Sequence, residues 1–150
     1  MFKILLATDG SSYILRAAEY IAKLGQRIAD AQVTVFYVKD LSLPLLGLMD
    51  EAALTALPDG ATMQRQVEEA AAVAALKDTE TVLEKSGRPV TTRSEWGQPA
   101  TVIADIAQKE GFDLIVMGSR GQGQFAGILL GSVSDRVVHQ SRVAALIVRE

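Results

Sequence analysis

Gly118, Gly121 and Gly131, the last followed by Ser132, form the spacing G-x2-G-x9-G-S, and five of the chain's twelve glycines fall between residues 118 and 131. Without a β-carbon, main-chain N–H groups approach a phosphate closely and positive φ angles carry no steric penalty. Gly131-Ser132 stands where a helical pattern begins, and the amides and dipole at a helix start suit an anion. Ser132 then either adds a hydroxyl donor to the phosphate or serves as the ordinary N-cap of that helix. A glycine-rich loop without a ligand is the competing reading. Two other glycine motifs fail. A Walker-type loop needs Gly-Lys, which the chain lacks. Gly121-Gln-Gly123-Gln-Phe-Ala-Gly127 imitates a dinucleotide fingerprint, yet it follows a late strand and no acid stands at the tip of a following strand to take a ribose.

A second polar cluster, Thr8-Asp9-Gly10-Ser11-Ser12, follows the first apolar run. Asp-Gly-Ser-Ser ahead of an apolar helix is a good capping stretch, so Asp9 has a structural role available to it whatever else it does. Material for catalysis is thin. The single histidine, His139, falls about two turns into the last helix, away from its phosphate-facing start. Glu95 and Trp96, after the third strand, read as surface and packing residues.

Positioning these loops requires alternating elements. Short β-branched runs at Phe2–Thr8, Gln32–Val38, Pro89–Glu95, Asp113–Met117 and Ala144–Arg149 read as strands. Helical patterns lie between them. Over Ser12–Ala29 apolar residues recur at Ile14, Ala17, Ala18, Ile21, Ala22 and Leu24, the spacing of an amphipathic helix. Thr62–Ser86 is alanine-rich and closed by Gly87, Ala100–Glu110 is closed by Gly111, and Ser132–Gln140 is the last. Strand, helix, strand in this repetition predicts a parallel sheet covered on both faces, with ligands outside the carboxyl ends of the strands where the strand order reverses. The chain reads as one domain, residues 1–150, with a Leu-rich insertion at about 41–60 that carries seven leucines with Pro44, Gly47, Pro58 and Gly60. That segment is either an ordered connection or a lid or partner-binding patch.

Composition narrows the class. A chain of 16.1 kDa with 49% apolar and 22% charged residues has the balance of an ordinary globular domain. Net charge of −3 gives no broad cationic face for nucleic acid or anionic lipid, so any phosphate must be held locally. The absence of cysteine removes disulfides, thiolate metal sites and thiol nucleophiles and fits a reducing compartment. The N-terminal apolar run is cut short by Asp9, and nothing approaches a membrane span, so a cytoplasmic protein is expected.

Together these motifs resemble the nucleotide-binding branch of the universal stress protein family. The resemblance rests on Ile4-Leu-Leu-Ala-Thr-Asp-Gly-Ser11, on Asp113-Leu-Ile-Val-Met-Gly-Ser-Arg120 with the glycine spacing and Leu129-Leu-Gly-Ser-Val-Ser-Asp135, and on Ala145-Leu-Ile-Val-Arg149. It covers the chain apart from the Leu-rich insertion. It implies a three-layer α/β/α fold, Rossmann-like and of the adenine nucleotide alpha hydrolase type, with a five-stranded parallel sheet in the order 3-2-1-4-5. It implies ATP binding, with Gly118, Gly121, Gly131 and Ser132 at the phosphates and ribose and Val133 alongside. Arg120 is the loop's cation, Ala7, Thr8 and Met117 line the pocket, and the main chain of Val38 reads the adenine edge. Asp9 meets the ribose or a Mg²⁺ bridging the phosphates.

The chain departs from the family where many relatives carry further basic residues, here Gln122 and Gly127. Arg120 alone faces a tail of about four negative charges, which shifts weight to main-chain amides and Mg²⁺ and leaves ADP, AMP and cyclic AMP as alternative ligands. The resemblance further implies a homodimer through Ala144–Arg149, whose edge position invites pairing with a second copy, and a sensor that signals to an unidentified regulatory partner. The alternatives are a slow ATP-hydrolysing or adenylating enzyme of related fold and a ligand-free dimerisation module. The adenylating relatives carry Ser-Gly-Gly-x-Asp-Ser or His-x-Gly-His, and this chain has neither.

Overall fold

The computed structural model describes residues 1–25, 27–40, 60–119 and 130–149. Five strands, β1 (Phe2–Ala7), β2 (Ala31–Lys39), β3 (Val90–Trp96), β4 (Leu114–Gly118) and β5 (Ala144–Val148), form one parallel sheet in the order β3-β2-β1-β4-β5. The helices among the described residues are α1 (Ser12–Gly25), α2 (Gly60–Glu84), α3 (Pro99–Lys109) and α4 (Ser132–Gln140). The expected fold class and strand order are therefore observed. The Leu-rich stretch through Pro58 and the stretch from Arg120 to Leu129 lie outside the described residues.

Strand alternation splits the core into two layers. Leu5, Ala7, Phe36, Val38, Ile115 and Met117 turn to one face, where Ala100, Ile103, Ile106 and Ala107 of α3 and Val137 of α4 cover them. Ile4, Leu6, Val33, Val35 and Val116 turn to the other, against Ile14, Ala17, Ala18 and Ile21 of α1 and Leu83 of α2. β1 and β4 thus carry unbroken apolar runs, residues 4–7 and 114–117, because both of their faces are covered there. The apolar spacing read in α1 is the face it buries.

The connections place the crevice. Chain order carries β1 to its neighbour β2 and β2 to β3, and α3 then returns the chain past both to set β4 on the other side of β1. Ile4, Leu5 and Leu6 pair with Leu114, Ile115 and Val116. Main-chain and side-chain bonds start this pairing together: Asp113 N–H donates to Lys3 O (2.9 Å), and Lys3 N–H to Asp113 Oδ2 (2.8 Å). The strand order reverses between β1 and β4, the place where open parallel sheets carry their ligands, outside the carboxyl ends of the strands.

Element ends differ from the sequence reading by a few residues. The first helix stops at Gly25 rather than Ala29, because glycine costs a helix interior about 1 kcal/mol and Arg27 N–H turns back to Leu24 O (2.9 Å). Gly87 and Gly111, expected as closing residues, take φ of 69° and 68° just beyond α2 and α3.

Candidate functional site

The residues that follow β1 and β4, on either side of the reversal of strand order, are held by hydrogen bonds. Thr8, 6% exposed, sits just past β1 with its N–H on Phe36 O (2.8 Å). Its hydroxyl belongs to a chain that runs into α2. Gly10 N–H donates to Thr8 Oγ1 (3.2 Å), Thr8 Oγ1 lies 2.8 Å from Thr79 Oγ1, and Thr79 Oγ1 donates to Ala75 O (2.8 Å). Since Thr79 spends its proton on Ala75, Thr8 is the donor between the two hydroxyls. The Thr8 hydroxyl is therefore committed to the interior of the protein. Next to it, Asp9 Oδ1 accepts from Ser11 N–H (2.9 Å), an Asx-type turn that Gly10 completes at φ 77°. The capping stretch read in the sequence is in this form: the carboxylate holds the turn ahead of α1.

Beside β1 in the sheet, β4 ends at Gly118 against the first turn of α1. A β-carbon at residue 118 would stand 2.8 Å from Tyr13 Cβ and 3.1 Å from its carbonyl carbon, so glycine here answers to a close approach. Ser119 N–H then bonds to Val148 O (2.9 Å), and Ser119 O receives Gly131 N–H at 2.7 Å. The Ser134 hydroxyl lies 3.0 Å from Gly131 O and 3.3 Å from Ser119 O, sharing one proton between them. These bonds draw the two described ends of the glycine stretch together over the edge of the sheet.

Gly131 is the N-cap of α4, with φ −69°, ψ 160° and no side-chain cap. Ser132 is consequently not the cap; it is the first helical residue, and it is exposed. Val133 is half-buried and packs on the α3-side core layer. Ala7, Val38 and Met117 turn their side chains into the same layer. Of the predicted site residues, the structure places Ala7, Thr8 and Asp9 at the end of β1 and just beyond it, Met117 and Gly118 at the end of β4, Gly131, Ser132 and Val133 at the start of α4, and Val38 near the end of the neighbouring strand β2. Arg120 and Gly121 lie outside the described residues.

Sequence reasoning missed the groups that hold this frame. Besides Thr79, Ser119 and Ser134, two glutamates of α2 tie down the end of β2. Glu68 Oε1 accepts from the Tyr37 hydroxyl (3.1 Å) and from Asp40 N–H (3.1 Å), while Glu69 Oε1 pairs with Lys39 Nζ (3.0 Å), whose ammonium also lies 4.8 Å from the Trp96 ring centre. Nothing in the local pattern of an alanine-rich helix announces these contacts. Burial, followed by the negative charge and hydrogen bond of Glu68 and the charges of Asp9 and Asp40, pushes the Tyr37 phenol well above its ordinary value of 10.0. Among the described residues no group of three or more His, Asp or Glu side chains gathers as a metal cage, and no described helix is long and apolar enough to cross a membrane.

An all-parallel Rossmann-like sheet whose strand order reverses between β1 and β4 is the class of protein that the fold defines. The chain belongs to the universal stress protein family, whose model matches residues 1–149. A universal stress protein of Methanocaldococcus jannaschii is 34% identical over 148 residues, covering 99% of this chain and 82% of the relative. Among solved structures, a universal stress protein in complex with cAMP superposes with a TM-score of 0.67 at 23% identity, covering 99% of this chain and 96% of that one. A family protein of Arabidopsis thaliana with AMP bound superposes with a TM-score of 0.69 at 19% identity, covering 100% and 92%. Both share the fold.

Two consequences of the frame are measurable. Thr79→Val leaves the buried Thr8 hydroxyl without its acceptor and should cost about 1–3 kcal/mol in urea denaturation. For Tyr37, the folded state keeps its proton where the unfolded chain, at the ordinary value of 10.0, releases it. Stability from this group is complete below about pH 10 and is lost as pH rises beyond it. Tyr37→Phe should therefore show a shallower alkaline loss of stability than wild type above pH 10, measured by denaturation at stepped pH.

Proposed function

We propose that this chain binds an adenine nucleotide in the crevice between the β1 and β4 loops and works as a dimeric sensor of nucleotide state. The observation that carries the reading is the start of α4. Its cap is the bare main chain of Gly131, drawn onto Ser119 at the end of β4, and this cap residue makes no side-chain hydrogen bond to the first amides of the helix. Helix-start amides beside a crevice are suited to phosphate oxygens. The family relatives with cAMP and AMP bound support an adenine nucleotide as the ligand class.

In this reading Gly118, Gly121, Gly131 and Ser132 surround the phosphates, with Arg120 as the loop's cation and Val133 alongside. Ala7, Thr8 and Met117 contribute main chain to the pocket wall, and the main chain of Val38 reads the adenine edge. Asp9 takes the ribose or a Mg²⁺ that enters with the nucleotide. The donor set fits a metal of that kind: Mg²⁺ is commonly held by one or two carboxylates together with substrate phosphates, and Asp9 is a half-buried carboxylate at the crevice. Mg²⁺ would neutralise phosphate charge that Arg120 alone leaves unmatched. ATP is the preferred candidate, ahead of ADP, AMP and cyclic AMP. Turnover is at most slow, since no described group is placed as a base beside the phosphates. The dimer would form through β5, which lies at a sheet edge with Ala144 and Ala145 exposed.

The test is calorimetric titration of the nucleotide-stripped protein and of Gly131→Val with ATP, ADP, AMP and cyclic AMP, with and without Mg²⁺. The φ of −69° at Gly131 is open to any residue, so the variant should fold. Wild type should bind near one nucleotide per chain and the variant should lose at least tenfold in affinity, about 1.4 kcal/mol. Equal affinity in the two proteins would remove the loop from the site, and no binding by wild type would remove the function.

A further inference from the structure

Ser11 precedes α1 at the position where a serine hydroxyl ordinarily caps the helix by accepting an amide from its first turn. It does not do so here. Its own N–H goes to Asp9 Oδ1 (2.9 Å), its carbonyl receives Leu15 N–H (3.4 Å), and the residue is 8% exposed. Its Oγ is the one buried side-chain polar atom among the described residues without a hydrogen-bond partner. A hydroxyl in that state is costly in a folded chain, because it has given up water and gained no protein partner in return.

The surroundings say what kind of partner suits it. Ser11 lies two residues from Tyr13, whose β-carbon touches the Gly118 position, and Gly118 is followed by Ser119, which holds the start of α4 through Gly131. The N-termini of α1 and α4 thus begin on either side of one strand end, and each brings the positive end of a helix dipole to it. Asp9, two residues before Ser11, occupies the ribose side of the crevice in the reading above. A group that follows the ribose along a nucleotide is its first phosphate.

We infer that the Ser11 hydroxyl is a phosphate-binding group, donating to an oxygen of the phosphate attached to the ribose, so that α1 supplies the second half of a cradle whose first half is the Gly131 end of α4. This rests on the nucleotide reading and sharpens it: the site would grip a nucleoside monophosphate unit, common to AMP, ADP and ATP, rather than relying on the outer phosphates. It also explains how a chain with a single cation in its glycine loop holds an anion, since hydroxyl and helix-start donors from two elements share the charge.

Ser11→Ala separates the alternatives. Titrations with AMP and with adenosine are compared for wild type and variant, alongside the melting temperature of each nucleotide-free protein. The inference predicts that AMP binds about tenfold or more weakly to the variant, as expected for loss of a hydrogen bond to a charged group. It predicts adenosine affinity unchanged within about twofold, and a melting temperature that stays level or rises, because the deleted hydroxyl had no protein partner. Unchanged AMP affinity overturns it. So does an equal loss for adenosine, which would place Ser11 at the nucleoside, and so does a melting temperature lowered by several degrees, which would give the hydroxyl a structural partner. Failure of wild type to bind either AMP or ATP would instead overturn the nucleotide reading beneath it.

Discussion

The pairing of β1 with β4 is the constraint on which the rest depends. Both strands carry apolar runs, residues 4–7 and 114–117, packed between the two core layers, and they are joined only after the chain has built two strands on the far side of β1. Reciprocal bonds between Lys3 and Asp113 fix where that pairing starts, and the register from Ile4↔Leu114 to Leu6↔Val116 fixes where it ends. Every polar group of the crevice is counted from that end. A slip of one residue would turn Leu5 and Ile115 to the wrong layer, so the hydrophobic core enforces the geometry of a site that contains almost no hydrophobic chemistry.

Around that junction the helices act as fasteners more than as walls. α2 reaches the end of β1 through Thr79 and Thr8, and the end of β2 through Glu68 and Glu69. α1 packs its first turn against Gly118, and α4 is drawn by Gly131 onto Ser119. The Thr8 relay and the Ser119 knot are buried, where a broken hydrogen bond is costly, whereas the Lys39–Glu69 pair has its carboxylate half in solvent and contributes less. The main-chain N–H groups of Thr8, Gly10, Ser11, Ser119 and Gly131 are all engaged within the protein, which fixes the course of the chain at the ends of β1 and β4.

The fold was legible in the sequence because it is written in periodicities. The i, i+3, i+4 spacing of Ile14, Ala17, Ala18 and Ile21, and the unbroken apolar runs of the central strands, each have one structural solution, and the motifs at both ends of the chain resembled a family whose strand order then followed. The site was legible in outline only. Loops after strands could be located by counting, but side-chain direction could not: Ala7, Val38 and Met117, read as pocket lining, turn their side chains into the core, and Ser132 offered itself as a cap where Gly131 takes that role. The contacts between Thr79 and Thr8, 71 residues apart, and between Tyr37 and Glu68, 31 apart, arise from tertiary packing that no local pattern encodes. Ser11 was visible as part of a capping stretch, and only its missing partner marks it out.

The central claim, that a nucleotide lies between the β1 and β4 loops, is tested most directly by recording amide ¹H–¹⁵N correlation spectra of the nucleotide-stripped protein as ATP and Mg²⁺ are added. The account predicts saturating shifts concentrated at Thr8–Ser12, Val38–Asp40, Gly118–Ser119 and Gly131–Val133, two lips of one crevice together with the end of β2. Saturating shifts centred elsewhere, such as on the outer face of α2 or along β5, or spectra that do not change at millimolar nucleotide, would contradict it.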